Sequence, residues 1–243
     1  MTTALNDLLL HPGIWRGDGY TAALPEVTDC DHAALAPVLP GGGWPKAAVT
    51  EVLVNRAGCG ELKLLLPVLA RLTQAGQQVV LIAPPHIPYA PAWQAAGVDL
   101  RRLTWVAAES DADAQWATEQ ALRETGCGAV VAWFRQSLSD RCARRLQLAA
   151  EQGGGHGFVM RQGAAEQAAS PFTLRLGVES VAGGVAVRVL KRRGAPHDRP
   201  VFLPHTAPTR QPVPVTAHHA VARAPLSASA ARSAASRPYA YVG

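Results

Sequence analysis

The sequence predicts an α/β protein whose sheet is mostly parallel and flanked by helices. Two observations predict this class: strand-like and helix-like segments alternate between residues 41 and 192, and most of the strand-like segments are continuous apolar runs. Continuous apolar strands are typical of parallel sheets that helices cover on both faces. The length of 243 residues suits one such domain with an appendage.

The first predicted strand, at 49–54, is an apolar, β-branched run (VTEVLV) that is typical of a buried strand. A glycine-bearing turn follows it, and a segment of helical period then extends to Gly76, a residue that commonly ends helices. Pro67 should kink or offset this helix, because its ring excludes one backbone hydrogen bond. The elements predicted in this half are a strand at 49–54, a helix at 61–75, a strand at 79–83, a helix at 90–96 and a strand at 103–106.

The second half continues the alternation and ends in a predicted hairpin. Ser110 is a capping-type residue before a segment of helical period, and Gly183 and Gly184 separate the last two strand-like runs. These two runs should add antiparallel strands to one edge of the sheet. The elements predicted here are a helix at 110–125, a strand at 127–134, a helix at 137–152, a strand at 157–161 and hairpin strands at 172–179 and 185–192.

Composition divides the chain into three parts. Residues 1–38 are a lead-in with short helices predicted at 3–10 and 31–38, and residues 39–193 are the core. Residues 194–243 are rich in Pro, Ala, Ser, Thr and Arg, and they contain few branched apolar side chains close together. Such a segment buries too little surface to offset its ordering entropy, so we predict a disordered tail.

The formal net charge of +5 suggests a nucleic-acid partner, but the charge is unevenly distributed. Residues 1–190 carry 15 basic and 17 acidic side chains, whereas the residues from Lys191 onward carry eight basic side chains and one acidic side chain. Residues 1–190 are therefore slightly acidic, and the segment from Lys191 onward is cationic. We expect DNA contacts to be weak or indirect.

Other function classes are excluded by what the sequence lacks. No stretch reaches the roughly 18 apolar residues of a membrane-spanning helix, and the N-terminus has no basic region of the secretory type. The cysteines are scattered without a C-x-x-C pair, which predicts reduced thiols rather than disulfides or a zinc site. We therefore expect a cytoplasmic protein without a metal site, a cofactor or a membrane partner.

The turn after the first strand occupies the place of a phosphate-binding loop of the G-x-x-x-x-G-K-[ST] type. Aligning Gly60 with the second glycine, with Gly58 inside the loop, places Asn55 at the first glycine, Glu61 at the lysine and Leu62 at the Ser/Thr. A carboxylate at the lysine position should repel a polyphosphate, and a leucine offers no oxygen to magnesium. A tight strand–helix turn is the favoured interpretation of this degenerate nucleotide loop, and a working nucleotide pocket is the alternative.

The other positions at which a P-loop ATPase carries catalytic residues also hold residues without that chemistry. The strand at 127–134 ends in Trp133 and Phe134, where a magnesium-binding aspartate is expected in a P-loop ATPase. His86 stands alone after the strand at 79–83, and a lone histidine there is more often structural than catalytic. We predict no catalytic residues and a protein that is not an enzyme, with residual ATP binding left open.

Several segments resemble known families. The run LPGGGWPKAAVTEV at 39–52 resembles the beginning of the RecA ATPase core, and GVDLRRLTWV and GAVVAWF follow in RecA order. More closely, LPGGGWP, ELKLLLPVLARLTQAG, VVLIAPPHIPYAPAWQAAGVDLRRL and VRVLKRRG are similar to the ImuA family. Related SulA-type division inhibitors share the VVLIAPP-like and GVDLxRL-like segments. The greater length and the basic tail favour ImuA.

The resemblance implies a degenerate RecA-like core at 39–193 and a role in damage-induced mutagenesis. ImuA proteins are RecA-like accessory proteins of a cassette that also encodes ImuB and a second DnaE-type polymerase. The chain is then expected to be a non-catalytic adaptor in SOS translesion synthesis, which bridges an ImuB-type Y-family polymerase relative and the error-prone DnaE-type polymerase, with RecA as a further candidate partner. The candidate partner-binding residues are Lys191, Arg192, Arg193, Arg199 and Arg210.

Three alternatives stay open at this point. A cationic tail is also suited to weak single-stranded DNA binding. A SulA-type protein would inhibit cell division by binding the FtsZ-type tubulin homologue. An ATPase with an unusual pocket is the third alternative.

Overall fold

The computed structural model describes residues 26–162, 170–194 and 196–205. The chain divides into two compact units, Met1–Thr209 and Arg210–Gly243, and every described residue belongs to the first. The helix predicted at 3–10 and most of the predicted tail, including Arg210, lie outside the described residues.

Within the described residues, helices and strands alternate as the apolar pattern predicts. The strands are β1 (Val27–Asp29), β2 (Gly43–Pro45), β3 (Ala48–Val54), β4 (Gln78–Ile82), β5 (Leu103–Val106), β6 (Cys127–Phe134), β7 (His156–Gln162), β8 (Leu174–Val181), β9 (Gly184–Lys191) and β10 (Val201–Pro204). The α-helices are α1 (Glu61–Gln74), α2 (Ala90–Ala95), α3 (Asp111–Arg123) and α4 (Asp140–Gly153).

Eight of these strands form one sheet in the order β10–β9–β8–β3–β7–β6–β4–β5. The six strands from β8 to β5 in this order run parallel, whereas β9 pairs antiparallel with both β8 and β10. The predictions of a mostly parallel sheet and of a C-terminal antiparallel hairpin are thus confirmed. β1 and β2 form a separate two-stranded sheet.

Helices cover both faces of the sheet, as continuous apolar strands require. On one face, α1 packs Leu65 and Leu69 against side chains such as Val52 of β3. On the other face, Leu122 of α3 and Leu146 of α4 pack with the strand residues that point that way. β3 is buried along its whole length, which explains why its sequence is apolar without alternation.

Some predicted boundaries are wrong. The helix predicted at 31–38 is reduced to a 3₁₀ turn at Ala36–Val38, because Pro37 and the nearby Pro40 lack the N–H groups that a longer helix needs. The helix predicted from Ser137 begins later, with Ser139 as its N-cap residue, whose hydroxyl accepts a hydrogen bond from the Cys142 N–H. α1 continues through Pro67 as one helical element.

The predicted disordered tail begins too early. β10 lies inside the 194–243 segment, where the composition predicts no regular structure. Val201 and Leu203 alternate toward the face of the sheet that α1 covers, and they pair with Val187 and Val185 of β9. A four-residue strand of this kind gains its stability from its neighbour, so its own sequence carries little signal.

Candidate functional site

The candidate site is the loop at 55–60, which joins the carboxyl end of β3 to the N-terminus of α1. β3 lies between β7 and β8, inside the parallel part of the sheet. Ligands of open α/β sheets bind outside the carboxyl ends of such strands, close to helix N-termini. The fold therefore places the loop at 55–60 where a phosphate-binding loop is expected.

Two glycines shape this loop, and one of them also permits a close contact. Gly58 and Gly60 have φ angles of 74° and 105°, in the region that favours glycine. A Cβ atom on Gly60 would stand 2.6 Å from Cγ1 of Val185, the second residue of β9. The sequence comparison with a phosphate-binding loop singled out Gly60 for its position, and the folded chain shows that β9 lies against it.

Glu61 turns its carboxylate back into its own loop. The residue is 3% exposed, and its Oε1 accepts a hydrogen bond of 3.0 Å from the Gly58 N–H. Its Oε2 is buried without a hydrogen-bond partner among the described residues. In phosphate-binding loops, the backbone N–H groups and the helix N-terminus bind the anion. Here a carboxylate of the chain itself accepts the hydrogen bond of one such N–H group, that of Gly58.

The thiol of Cys59 lies in the same loop and is buried. Its Sγ donates a hydrogen bond of 3.7 Å to the carbonyl oxygen of Val178 in β8. Burial, together with the neighbouring Glu61 carboxylate, raises the pKa of Cys59 to about 11. Since only a thiolate is a good nucleophile, this thiol is unreactive at neutral pH.

The other three cysteines are also free and buried: Cys30, Cys127 and Cys142. Burial is the main cause that raises the pKa of each thiol, to about 11 for Cys127. None of the four cysteines is joined in a disulfide in the structure. Among the residues that the structure describes, no group of three or more His, Cys, Asp or Glu side chains is arranged to hold a metal ion.

The remaining loop positions do not converge on a ligand. Asn55 is exposed, and Leu62 packs partly buried against the core on the α1 face. Lys63 contacts His205, with 3.0 Å between Nζ and Nδ1. His205 directly follows β10, so Lys63 binds the end of the sheet rather than a site inside the loop. Sequence pattern gave no signal for this contact.

At the predicted magnesium position, Trp133 is partly buried and packs against the same core. An indole offers only an N–H donor and no oxygen for a metal ion. The loop after β6 is held by Asp111 of α3, whose carboxylate accepts hydrogen bonds from the N–H groups of Arg135 and Gln136, at 3.4 Å and 2.8 Å. The acidic start of α3 therefore positions a loop, in addition to the favourable location of negative charge there.

Three neighbouring strands, β7, β3 and β8, carry a buried ionic cluster that no sequence motif indicates. Glu51 is fully buried, and its Oε1 and Oε2 accept hydrogen bonds from Arg161 at 2.6 Å and from Arg175 at 2.5 Å. We call Glu51, Arg161 and Arg175 the buried ionic cluster. A single charged residue inside each apolar run was the available signal, because a buried charge requires a partner on a neighbouring strand.

The candidate partner-binding residues that the structure describes lie at the opposite end of β9 from the loop. Lys191 Nζ donates to the carbonyl oxygen of Ser170 at 2.7 Å, and Arg192 Nη1 donates to that of Val38 at 2.8 Å. Arg193 and Arg199 are exposed. The structure thus uses Lys191 and Arg192 to hold neighbouring segments.

The family model described as cell division inhibitor SulA matches residues 47–157. This part of the chain resembles SulA. The matched SulA-like region extends from the residue before β3 to the second residue of β7, so it includes the loop at 55–60, whereas β8, β9 and β10 lie beyond it.

Among solved structures, the crystal structure of SulA from Pseudomonas aeruginosa shares 29% identity with the chain. The similarity covers 47% of this chain and 98% of that one, with a TM-score of 0.40. No curated protein matches the chain. None of the helices in the described part of the chain is both long and apolar enough to cross a membrane.

Proposed function

We propose that the protein is a non-catalytic adaptor of the SOS response, built on a degenerate RecA-like core and acting in damage-induced translesion synthesis. It would bridge an ImuB-type Y-family polymerase relative and the error-prone DnaE-type polymerase, with RecA as a further candidate partner. The observation that carries the proposal is the Glu61 carboxylate, which accepts a hydrogen bond from the Gly58 N–H inside its own loop.

The loop chemistry supports a protein that works by contact rather than by catalysis. A nucleotide would have to displace the Glu61 carboxylate from the loop N–H, and it would then meet uncompensated negative charge. Leu62 and Trp133 supply no oxygen ligand for magnesium. A fold that keeps the strand–loop–helix unit without this chemistry is suited to a scaffold.

The extent of the sheet favours the ImuA-type interpretation over a SulA-length protein. The SulA-like region ends at residue 157, early in β7, and the chain then adds β8, β9 and β10 to the same sheet. The position of the loop after a strand inside the sheet, together with the closing antiparallel strands, supports a RecA-like arrangement. We infer a cytoplasmic location at the nucleoid during damage.

The partner-binding role falls to the exposed cationic residues after β9. Lys191 and Arg192 already donate to backbone carbonyl oxygens of this chain. Arg193 and Arg199 are exposed, and Arg210 follows in the cationic segment of the sequence. Arg193 also interacts within the chain, and we choose it with Arg199 and Arg210 because the two described side chains are exposed. We assign these three arginines to an acidic surface of the ImuB-type partner, with which charge-assisted hydrogen bonds would form.

A capture experiment tests this assignment. The full-length chain and a chain that ends at Thr209 both retain β10, so a difference between them reports on the tail alone. A third chain carries Arg193→Glu, Arg199→Glu and Arg210→Glu. The charge-matched control carries Arg135→Glu, Arg141→Glu and Arg144→Glu, which are also at exposed positions. We expect the triple variant to lose the ImuB-type partner and the control to retain it. Equal capture by all chains would contradict the assignment.

The SulA-like region supports a second candidate, a cell-division inhibitor that binds the FtsZ-type tubulin homologue. The two candidate functions predict different cell lengths when the chain is overproduced. Overproduction of the full-length chain in a strain that lacks the ImuB-type protein should leave cell length unchanged if the adaptor proposal is correct. Filamentation in that strain would favour the inhibitor.

A further inference from the structure

Three of the seven large apolar side chains that are exposed among the described residues lie in the edge strand β5 or in the loop after its neighbour β4. Trp105 in β5 is 48% exposed, and Ile87 and Tyr89, in the loop after β4, are 76% and 71% exposed. β5 pairs in parallel with β4, and no other strand of the described residues lies on its second side. An edge of this kind can pair with another strand.

The backbone direction shows which residues face the free edge. The Val106 carbonyl oxygen accepts a hydrogen bond of 2.9 Å from the Ala83 N–H, so the peptide groups of Val106 point toward β4. Because these groups alternate in direction along a strand, those of Leu103 and Trp105 point away from β4. The free edge therefore offers N–H and C=O groups at both positions, and Trp105 adds an exposed indole beside them.

Charge is distributed unequally along this edge. Arg101 and Arg102 are exposed and directly precede the amino end of β5, whereas Glu109 is exposed three residues after its carboxyl end. The first turn of α3 adds the acidic residues Asp111 and Asp113. The amino end of β5 is thus cationic and the region after its carboxyl end is anionic. Two such edges placed antiparallel present opposite charges to each other at both ends.

We propose that two copies of this chain pair antiparallel through β5, with the two-fold axis at Thr104. Leu103 of one copy then exchanges backbone hydrogen bonds with Trp105 of the other, and each Trp105 indole covers Leu103 of the second copy on the same face of the joined sheet. The interface is self-complementary, so it closes at the dimer. This inference does not depend on the proposed function.

The same register brings the end charges together. Arg101 lies in the 3₁₀ turn directly before β5, so at each end of the joined edge it is placed near the acidic segment with Glu109 that follows β5 of the second copy. Arg101 bonds Asp99 of its own copy through Nε at 3.0 Å and Nη2 at 2.8 Å. The remaining guanidinium donors are available to Glu109 of the second copy.

A cysteine at the two-fold axis tests the register directly. Opposite residues of a non-hydrogen-bonded antiparallel pair have Cα atoms about 4.5 Å apart, within the range of a disulfide. We expect full-length Thr104→Cys to form a covalent dimer rapidly under mild oxidation. Thr173→Cys, which is also exposed but directly precedes β8, is the matched control, and the wild type reports on the four native thiols. Cross-linking of Thr104→Cys no faster than Thr173→Cys would overturn the register.

Sedimentation equilibrium of the full-length wild type tests the dimer itself. We expect a dimer whose dissociation constant rises about tenfold or more in Trp105→Lys, because a buried aromatic at an interface centre carries much of the binding energy. Arg101→Glu should weaken the dimer and Arg101→Glu with Glu109→Arg should restore it, since the exchanged charges attract again. A monomeric wild type, or a dimer that none of these substitutions changes, would refute the proposal.

Discussion

The carboxylate of Glu61 accepts a hydrogen bond from the backbone N–H of Gly58, three residues earlier in the same loop. This contact joins the first residue of α1 to the turn that precedes it, at the place where related strand–loop–helix units bind phosphate. The carboxylate satisfies the hydrogen-bonding capacity of the Gly58 N–H and interacts favourably with the positive end of the α1 dipole. Its second oxygen, Oε2, is buried without a hydrogen-bond partner among the described residues.

The first prediction concerns nucleotide binding. We expect ATP with magnesium to leave the melting temperature of the wild-type protein unchanged, because bound ligand stabilises only a protein that offers a site. Glu61→Gln keeps an oxygen acceptor for the Gly58 N–H, whereas Glu61→Ala should lower the free energy of unfolding by about 1 kcal/mol. Glu124→Ala, at an exposed position, is the control. A clear nucleotide-dependent rise in the wild type would contradict the proposed lack of a nucleotide site.

The second prediction concerns the two loop glycines. Gly60→Ala combines an unfavourable φ with a Cβ that would stand 2.6 Å from Val185 Cγ1, so it should lower the free energy of unfolding by about 2–4 kcal/mol. Gly58→Ala has the same kind of φ but no atom within 4 Å of the new Cβ, so about 1–2 kcal/mol is expected. Urea unfolding of both variants measures the difference. Equal losses would show that β9 does not restrict the loop.

The third prediction concerns the buried ionic cluster. Glu51→Gln leaves two buried guanidinium groups without their carboxylate, so the free energy of unfolding should fall by about 3–5 kcal/mol. Replacing all three residues by apolar ones (Glu51→Leu, Arg161→Met and Arg175→Met) should cost less than this single change, because no unpaired charge is left. Glu179→Gln, on the exposed part of β8, is the control for the loss of a charge. Greater instability of the triple variant would contradict the argument.

The fourth prediction concerns pH. His156 is 2% exposed, its Nδ1 donates to the Pro45 carbonyl oxygen, and its Nε2 accepts from the Thr28 hydroxyl, both at 2.9 Å. Burial lowers the pKa of His156 from 6.5 to about 4. Between these two pH values the unfolded chain binds a proton at His156 and the folded protein does not. The contribution of His156 to the free energy of unfolding is therefore fully present above pH 6.5, and it decreases by roughly 3 kcal/mol as the pH falls to about 4.

A substitution of His156 distinguishes its contribution to the pH dependence of stability from the contribution of carboxylates that titrate in the same pH range. His156→Gln retains hydrogen-bonding capacity but has no proton to bind, so its stability should depend less steeply on pH between 6.5 and 4. Urea unfolding of both proteins at several pH values gives the two slopes. Parallel slopes would show that His156 does not govern this dependence.

Much of the fold was predictable because its elements are encoded locally. The strand at 127–134 was predicted with the bounds of β6, and the hairpin was predicted from the two glycines between its strands. The loop was located by the same reasoning, since a glycine-bearing turn between a buried strand and a helix is a local pattern. The side-chain contacts within the site were not predictable, because Val178, Val185 and His205 reach the loop from distant parts of the chain.

The sequence by itself determined which segments are strands and helices and which motif residues are missing, since apolar period and residue type act between near neighbours. Tertiary structure alone decided that β10 joins the sheet, that Glu51 is neutralised by two arginines, and that Glu61 points into its loop. It also decided that β5 is an edge strand. The reason is physical: strand pairing and the burial of charge depend on groups that lie far apart in the chain and meet only after folding.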